Sequence, residues 1–269
     1  MENIINFDGV SYAKGGKVLL NNLNFDIERG SIVSIIGSNG SGKSTLVNIL
    51  AGLCEYNGYI AMNGYYLNKS NMKDIRRFTS VLLDEINNFP VTEIVSDELS
   101  VGLNNIGEDE LSISKKVLNI ARLFKIDNIL NRGIKTITNS DRVKVFLASA
   151  LVTDPDILII DDCLHQLSVA DKRIVFDIFK KYNKKNNLTI IMVTHDMEDT
   201  LISDRVILLD KGIVIMDDSP IRLFKDKEKL ANYGVKIPFV VDLSLRLMKK
   251  GIVNHIYLDI GKLVDDLWK

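Results

Sequence analysis

The chain has 269 residues, 46% of them hydrophobic and 26% charged, enough for one large α/β domain with additions and too few for two ordinary enzymes. A net charge of −1 makes no electrostatic case for nucleic acid, and no nucleic-acid partner is expected. The two cysteines, Cys54 and Cys163, are far apart and in no metal-binding spacing, which fits a reducing compartment. The opening "MENIINFDGV" lacks the basic start and apolar core of a signal peptide, and no apolar run approaches the ~20 residues of a membrane helix. The expectation is a soluble, cytosolic chain that reaches a membrane only through partners.

Taken in chain order, "LNFDIERGSIVSIIG" predicts two strands. Leu23, Phe25 and Ile27 alternate with polar residues, "ERG" turns, and Ser31 to Ile36 is a short apolar run ending in glycine. "STLVNILAGL" then sets Leu46, Ile49, Leu50 and Leu53 at helical spacing, and "YIAMNGYYL" gives a strand with an Asn-Gly turn. From about 85 to 152 the pattern changes. "SDELSVGLNNI", "ISKKVLNIARLF" and "DRVKVFLASALV" all read as amphipathic helices, which predicts a helical subdomain inserted into an α/β core. The core resumes with a strand in "DILIIDD", a helix in "DKRIVFDIFKKYNKK", a strand in "LTIIMVTHD" and a hairpin in "RVILLDKGIVIM". Alternating strands and helices imply a largely parallel sheet. Residues 221–269 read as a helical extension broken at Pro238. Val240, Leu243 and Leu247 share one helical face there, with Leu245 and Met248 beside it. That face either packs on the chain's own core or meets another subunit.

Gly37, Gly42, Lys43 and Ser44 fit the pattern G-x-x-x-x-G-K-[ST] between a strand and a helix. Glycines let the backbone curl until successive N–H groups point at phosphate oxygens, and the helix beginning near Lys43 adds its positive end. Lys43 is expected to reach the β- and γ-phosphates and Ser44 to hold Mg²⁺. The nucleotide-binding set is therefore Gly37, Ser38, Asn39, Gly40, Ser41, Gly42, Lys43, Ser44 and Thr45. Asp161 ends the apolar strand "ILIID", where a carboxylate can hold Mg²⁺ or merely cap the next helix. His195 follows "TIIMV" at another strand's C-terminal end, where ligands gather in open α/β sheets. It can donate to a γ-phosphate oxygen or to an attacking water.

In this order the residues resemble an ABC-transporter ATPase subunit over about Ile5 to Pro220. The tail "KEKLANYGVKIPFVVDLSLRLMKKG" is similar to the C-terminal segment of the energy-coupling factor ATPases. The resemblance implies a P-loop NTPase with a RecA-like core at 1–220 and the short helical extension at 221–269. It implies ATP and Mg²⁺ as ligands and a second ATPase subunit closing face to face. It also implies a transmembrane coupling subunit, a membrane protein that captures a vitamin or metal ion, and a place on the cytoplasmic face of the membrane. The groove for the coupling subunit is expected along Asp84 to Glu98.

Departures from the family pattern bear on rate. The signature Leu-Ser-Gly-Gly-Gln is replaced by "ITNSD", Ile137 to Asp141. Thr138 keeps a hydroxyl for a γ-phosphate. Asn139 and Ser140 replace both glycines and restrict close backbone approach. Asp141 brings a negative charge that Arg142 and Lys144 can soften. The family's Asp-Glu is Asp161-Asp162 here, so the water-activating carboxylate is one methylene shorter. A short loop that ends in Asp in the family ends in Ser168. The family's Gln at the membrane-sensing loop aligns with Asp84, a further candidate metal ligand. The adenine-stacking aromatic falls on Lys14, with Tyr12 two residues earlier as the stacking candidate. Three readings follow: a motor for uptake, a degenerate nucleotide-binding module with little turnover, and a regulator outside transport.

Overall fold

The computed structural model describes residues 2–83 and 90–268. Strands β1 (Asn3–Lys14) and β2 (Lys17–Glu28) pair antiparallel around Gly15 and Gly16, both at positive φ, which a two-residue hairpin turn of matching twist requires. β3 (Ile32–Ile36) leads through the glycine-rich loop into α1 (Lys43–Leu50). β4 (Asn57–Met62) and β5 (Tyr65–Tyr66) turn at Asn63-Gly64, and α2 (Met72–Phe78) precedes β6 (Thr79–Leu82). Next come helices α3 (Val95–Asn105), α4 (Glu110–Leu123) and α5 (Asn139–Leu151). They are followed by β7 (Ile157–Asp161), α6 (Val169–Asn186) and β8 (Thr189–Val193). β9 (Arg205–Asp210) and β10 (Ile213–Asp218) form a hairpin. The chain ends in α7 (Pro220–Lys225), α8 (Lys227–Asn232), α9 (Phe239–Lys249) and α10 (Ile260–Leu267).

Two sheets result. One is antiparallel in the order β2-β1-β4-β5, and the other runs β10-β9-β3-β8-β7-β6, parallel throughout except for β10. Every residue of β3, β7 and β8 is buried, as expected of parallel strands covered on both faces. One face, with Val33, Ile35, Ile159 and Val193, packs with α1 against the antiparallel sheet. The other face is divided. Leu158, Ile160, Ile190 and Met192 meet α3 to α6, while Ile36, Val206 and Leu208 meet the C-terminal helices.

The predicted strands, the three inserted helices and the closing hairpin are all present. The sequence reading did not single out β1, α2, β6 or α10. In the extension, Val240, Val241 and Ser244 are fully buried, whereas Leu243, Leu245, Leu247 and Met248 are half-buried around the same core. α9 therefore packs on the chain's own sheet, turned slightly from the face expected. Among the described residues no helix is long and apolar enough to cross a membrane.

This packing predicts unequal costs within the extension. Phe224 is fully buried against the sheet and Phe239 is 68% exposed. Phe224→Ala should cost about 3–5 kcal/mol in chemical denaturation, and Phe239→Ala less than about 0.5 kcal/mol. Equal losses would show that the extension is not seated as described.

Candidate nucleotide site

Three adjacent strands deliver the site. β3 runs into the phosphate loop, β8 ends beside His195, and β7 ends at Asp161 and Asp162. A cavity of about 330 Å³ at these strand ends is lined by Asn39, Gly40, Gly42, Lys43, Ser44, Thr45, Asp161, Asp162 and His195, with Leu19 and Val193 as its apolar walls. A larger cavity of about 610 Å³, near the end of α1, contains neither loop nor acidic pair.

The loop's glycines are sterically required where the chain crowds. A Cβ at Gly37 would lie 2.2 Å from the Leu209 carbonyl oxygen, and one at Gly42 would lie 2.7 Å from Leu20 Cδ2. Gly42 is also the N-cap of α1, which has no side-chain cap and no acidic residue in its first turn. The first N–H groups of α1 are thus offered to an external anion rather than to a side chain. Lys43 Nζ donates to the carbonyls of Gly37 at 2.8 Å and Ser38 at 3.0 Å. Burial lowers the Lys43 pKa, opposed by the charges of Asp162 and Asp161.

Asp162 takes the left-handed conformation, φ 48, which non-glycine residues seldom adopt. From there its carboxylate meets His195 Nδ1 at 2.7 Å and 2.6 Å from the two oxygens. Nδ1–H is then the donor, and Nε2 is the ring nitrogen left for a ligand. His165 contacts the Asp162 carbonyl and its ring lies 5.7 Å from that of His195. Ser44 and the 5%-exposed Asp161 supply hard oxygen donors in the same cavity. No group of three His, Cys, Asp or Glu side chains suited to a metal occurs among the described residues. This donor set fits Mg²⁺, which takes one or two protein oxygens with the rest from water and phosphate.

The segment Ile137 to Asp141 is engaged within its own chain. Thr138 caps α5, accepting the Asp141 N–H at 3.1 Å and donating its hydroxyl to Asp141 Oδ2 at 2.8 Å. Lys144, only 5% exposed, bridges Asp141 at 2.9 Å and Asp171 at 3.0 Å. Burial opposes the Lys144 charge, but the hydrogen bonds and charges of Asp141 and Asp171 prevail and raise its pKa. Ser140 donates to Asp171 at 2.6 Å and accepts the Ser168 N–H at 3.0 Å, which ties α5 to the start of α6. Arg142 bonds Asn139 at 2.8 Å, and Lys144 meets the Asp141 charge directly.

Not every candidate converges on the cavity. Gly37 and Ser38 border a neighbouring cavity with His195, Ser41 is buried beneath the loop, and Thr138 stands at the head of α5. Tyr12 is half-buried against the core beside the antiparallel sheet. The neighbouring Cys54 thiol, together with burial, raises its pKa. Asp84 lies outside the described residues. Glu98, at the far end of the expected docking groove, is buried and accepts both the N–H and the hydroxyl of Thr92. Leu19 was not anticipated: it is the middle of three consecutive apolar residues, Val18 to Leu20, and only the closeness of β2 to the loop brings it into the wall.

Comparison with known proteins shows the family and the fold. The ABC transporter family pattern matches residues 20–165. The energy-coupling factor transporter ATP-binding protein EcfA of Pediococcus pentosaceus is 31% identical over 256 residues, covering 94% of this chain and 91% of its own. EcfA1 of Geobacillus kaustophilus is 29% identical, covering 99% and 97%. Among solved structures, cbiO1 from Clostridium perfringens, part of the ABC transporter complex cbiONQ, superposes with a TM-score of 0.78 at 24% identity, over 93% of this chain and 98% of that one. The dimeric ABC transporter cassette MJ0796 gives a TM-score of 0.73 at 24% identity, over 80% and 98%. With curated relatives this similar along nearly their whole length, the chain belongs to the ABC transporter family, as an energy-coupling factor transporter ATP-binding protein.

Proposed function

We propose that this ATPase binds ATP with Mg²⁺ tightly and hydrolyses it slowly, driving uptake of a vitamin or metal ion through membrane partners. The observation that carries the slow step is the bond between Asp162 and His195. The carboxylate that would activate water and the imidazole that would meet the γ-phosphate hold each other. Asp162 is also a methylene shorter than the glutamate of the family pattern, so it must release His195 and still reach a water. The self-capped head of α5 supports the same reading. Asp141 and Thr138 occupy the helix terminus that a partner's γ-phosphate would otherwise approach.

In this proposal the loop from Gly37 to Thr45 cradles the phosphates, and Lys43 leaves its carbonyl partners for phosphate oxygens. Ser44 and Asp161 would hold Mg²⁺, which neutralises phosphate charge when bound. Asp162 orients water and His195 the γ-phosphate. A second ATPase subunit closes face to face, as the dimeric cassette suggests. A transmembrane coupling subunit and a substrate-capture protein complete the assembly, as the complex containing cbiO1 suggests, with this chain at the cytoplasmic face. The same reading divides the chain into an ATPase domain at 1–220, with helices inserted at about 85–152, and an extension at 221–269.

Two measurements test the proposal. By calorimetry, Lys43→Ala should weaken ATP·Mg²⁺ binding by at least about 100-fold, since it removes a charge-assisted contact from a half-buried site; unchanged affinity would refute the site. In single-turnover hydrolysis, Asp162→Glu and a variant carrying the family signature at Ile137 to Asp141 should each be faster than the native chain. The gain should lie within the ~10²–10⁴-fold range of general-base help, at nearly constant affinity. A native chain as fast as both variants would make Asp162 a competent base and end the slow-hydrolysis reading.

A further inference from the structure

The loop carrying His195 is held from two sides. On the α6 side, Lys172 binds Asp196 at 2.7 Å and Asp199 at 2.5 Å, and the buried Asp199 also accepts the Thr194 hydroxyl at 2.8 Å. On the opposite side the loop is joined to the C-terminal extension. Glu198 Oε1 accepts the backbone N–H of Phe239 at 2.7 Å, across 41 residues of sequence. Phe239 is the first residue of α9, and Pro238 before it supplies no side-chain cap. An anion at a helix N-terminus satisfies an orphan donor and meets the positive end of the dipole. Glu198 is therefore the cap of α9, delivered from the histidine loop.

Packing repeats the connection. Met197 and Leu201, on the short turn that follows His195, lie against the core of the extension with Val235, Val240 and Val241. A cavity of about 510 Å³ is walled by Ser38 and Asn39 of the phosphate loop, by His195 to Glu198, and by Gly234 to Pro238 of the extension. Only two residues, Asp196 and Met197, separate His195 from Glu198, so the histidine backbone cannot shift far without carrying the cap of α9 with it.

We infer that Glu198 is a positioning residue that couples the seat of α9 to the placement of His195, so that nucleotide at the phosphate loop is sensed by the C-terminal extension. The inference rests on the ATP-binding reading above and adds a route from that site to a different part of the chain. Binding that fixes His195 on a terminal phosphate holds Glu198 and firms the first turn of α9. Loss of the cap frees the histidine loop on one side and lowers the fraction of chains with His195 in place.

Two substitutions isolate the bond from opposite ends. Glu198→Ala removes the acceptor, and Glu198→Gln keeps an acceptor oxygen. Phe239→Pro removes the N–H donor at a position where proline suits a helix and where Pro238, at φ −55 and ψ 147, already has the conformation that a following proline requires. Hydrogen exchange in α9 is measured on the full chain with and without ATP·Mg²⁺, alongside ATP affinity and single-turnover rate. In the native chain, nucleotide should slow exchange in α9. In Glu198→Ala and Phe239→Pro this response should vanish and the rate fall about 10- to 100-fold, the scale set by misplacing a reacting group by about an ångström. ATP affinity should stay within about twofold, Glu198→Gln should restore both responses, and the double variant should be no worse than either single one. Additive losses, a surviving α9 response in Glu198→Ala, or a native chain that binds ATP without changing α9 would each overturn the inference. Failure of the native chain to bind ATP at all would instead strike the site reading from which it starts.

Discussion

The site depends on the register of three parallel strands. Ile35 pairs with Val193, and Val193 pairs with Asp161, so these residues form one row across the sheet. Two residues beyond that row the chain reaches Gly37 of the phosphate loop from β3 and His195 from β8, and one residue beyond it Asp162 from β7. A slip of one residue in any pairing would turn the alternate faces of a strand buried on both sides and move its functional end by about 3.3 Å. The all-apolar strands of this sheet thus fix the spacing of polar groups they do not themselves carry.

Charge is handled in a recurring way around that row. Lys144 sits between Asp141 and Asp171, and Lys172 between Asp196 and Asp199. Lys43 faces Asp161 and Asp162 but spends its hydrogen bonds on loop carbonyls. The first two lysines are committed to carboxylates within the chain. They lock the head of α5 to α6, and α6 to the histidine loop. A buried or largely buried cation with two carboxylate partners offsets its desolvation through hydrogen bonds as well as attraction. Lys43 has only neutral oxygens to give up, so it is the lysine of the three that phosphate can recruit without stranding a carboxylate.

The extension completes the sheet rather than hanging from it. Ile36, at the end of β3, belongs to the same buried cluster as Val241, Phe224 and Leu263. The residue that opens the phosphate loop is therefore packed against the last helices of the chain. This gives α7 to α10 a mechanical bearing on the loop as well as on His195. Within that cluster α9 buries Val240, Val241 and Ser244, while Phe239 at its start stays exposed.

The sequence by itself determined what local chemistry can encode. Glycine and lysine spacing between a strand and a helix specified the phosphate loop, and helical periodicity specified α3 to α6. Apolar runs ending in Asp161 and His195 pointed to strand ends. Two short signals were equally local yet were not used: Thr138-x-x-Asp141 and Ser168-x-x-Asp171 both have the spacing of helix-capping pairs, and both cap helices here. β1 was obscured because bulges interrupt its pairing with β2 and place Ile4 and Ile5 side by side in the core. α2 and β6 are too short for periodicity to declare them. Tertiary structure alone decided the partners across distance: Asp162 with His195, 33 residues apart; Glu198 with Phe239, 41 apart; Tyr12 turned to Cys54; and Leu19 in the cavity wall. Side-chain direction at a strand end depends on which strands are neighbours and on backbone angles such as the positive φ of Asp162. Neither is written in the spacing of residues along the chain.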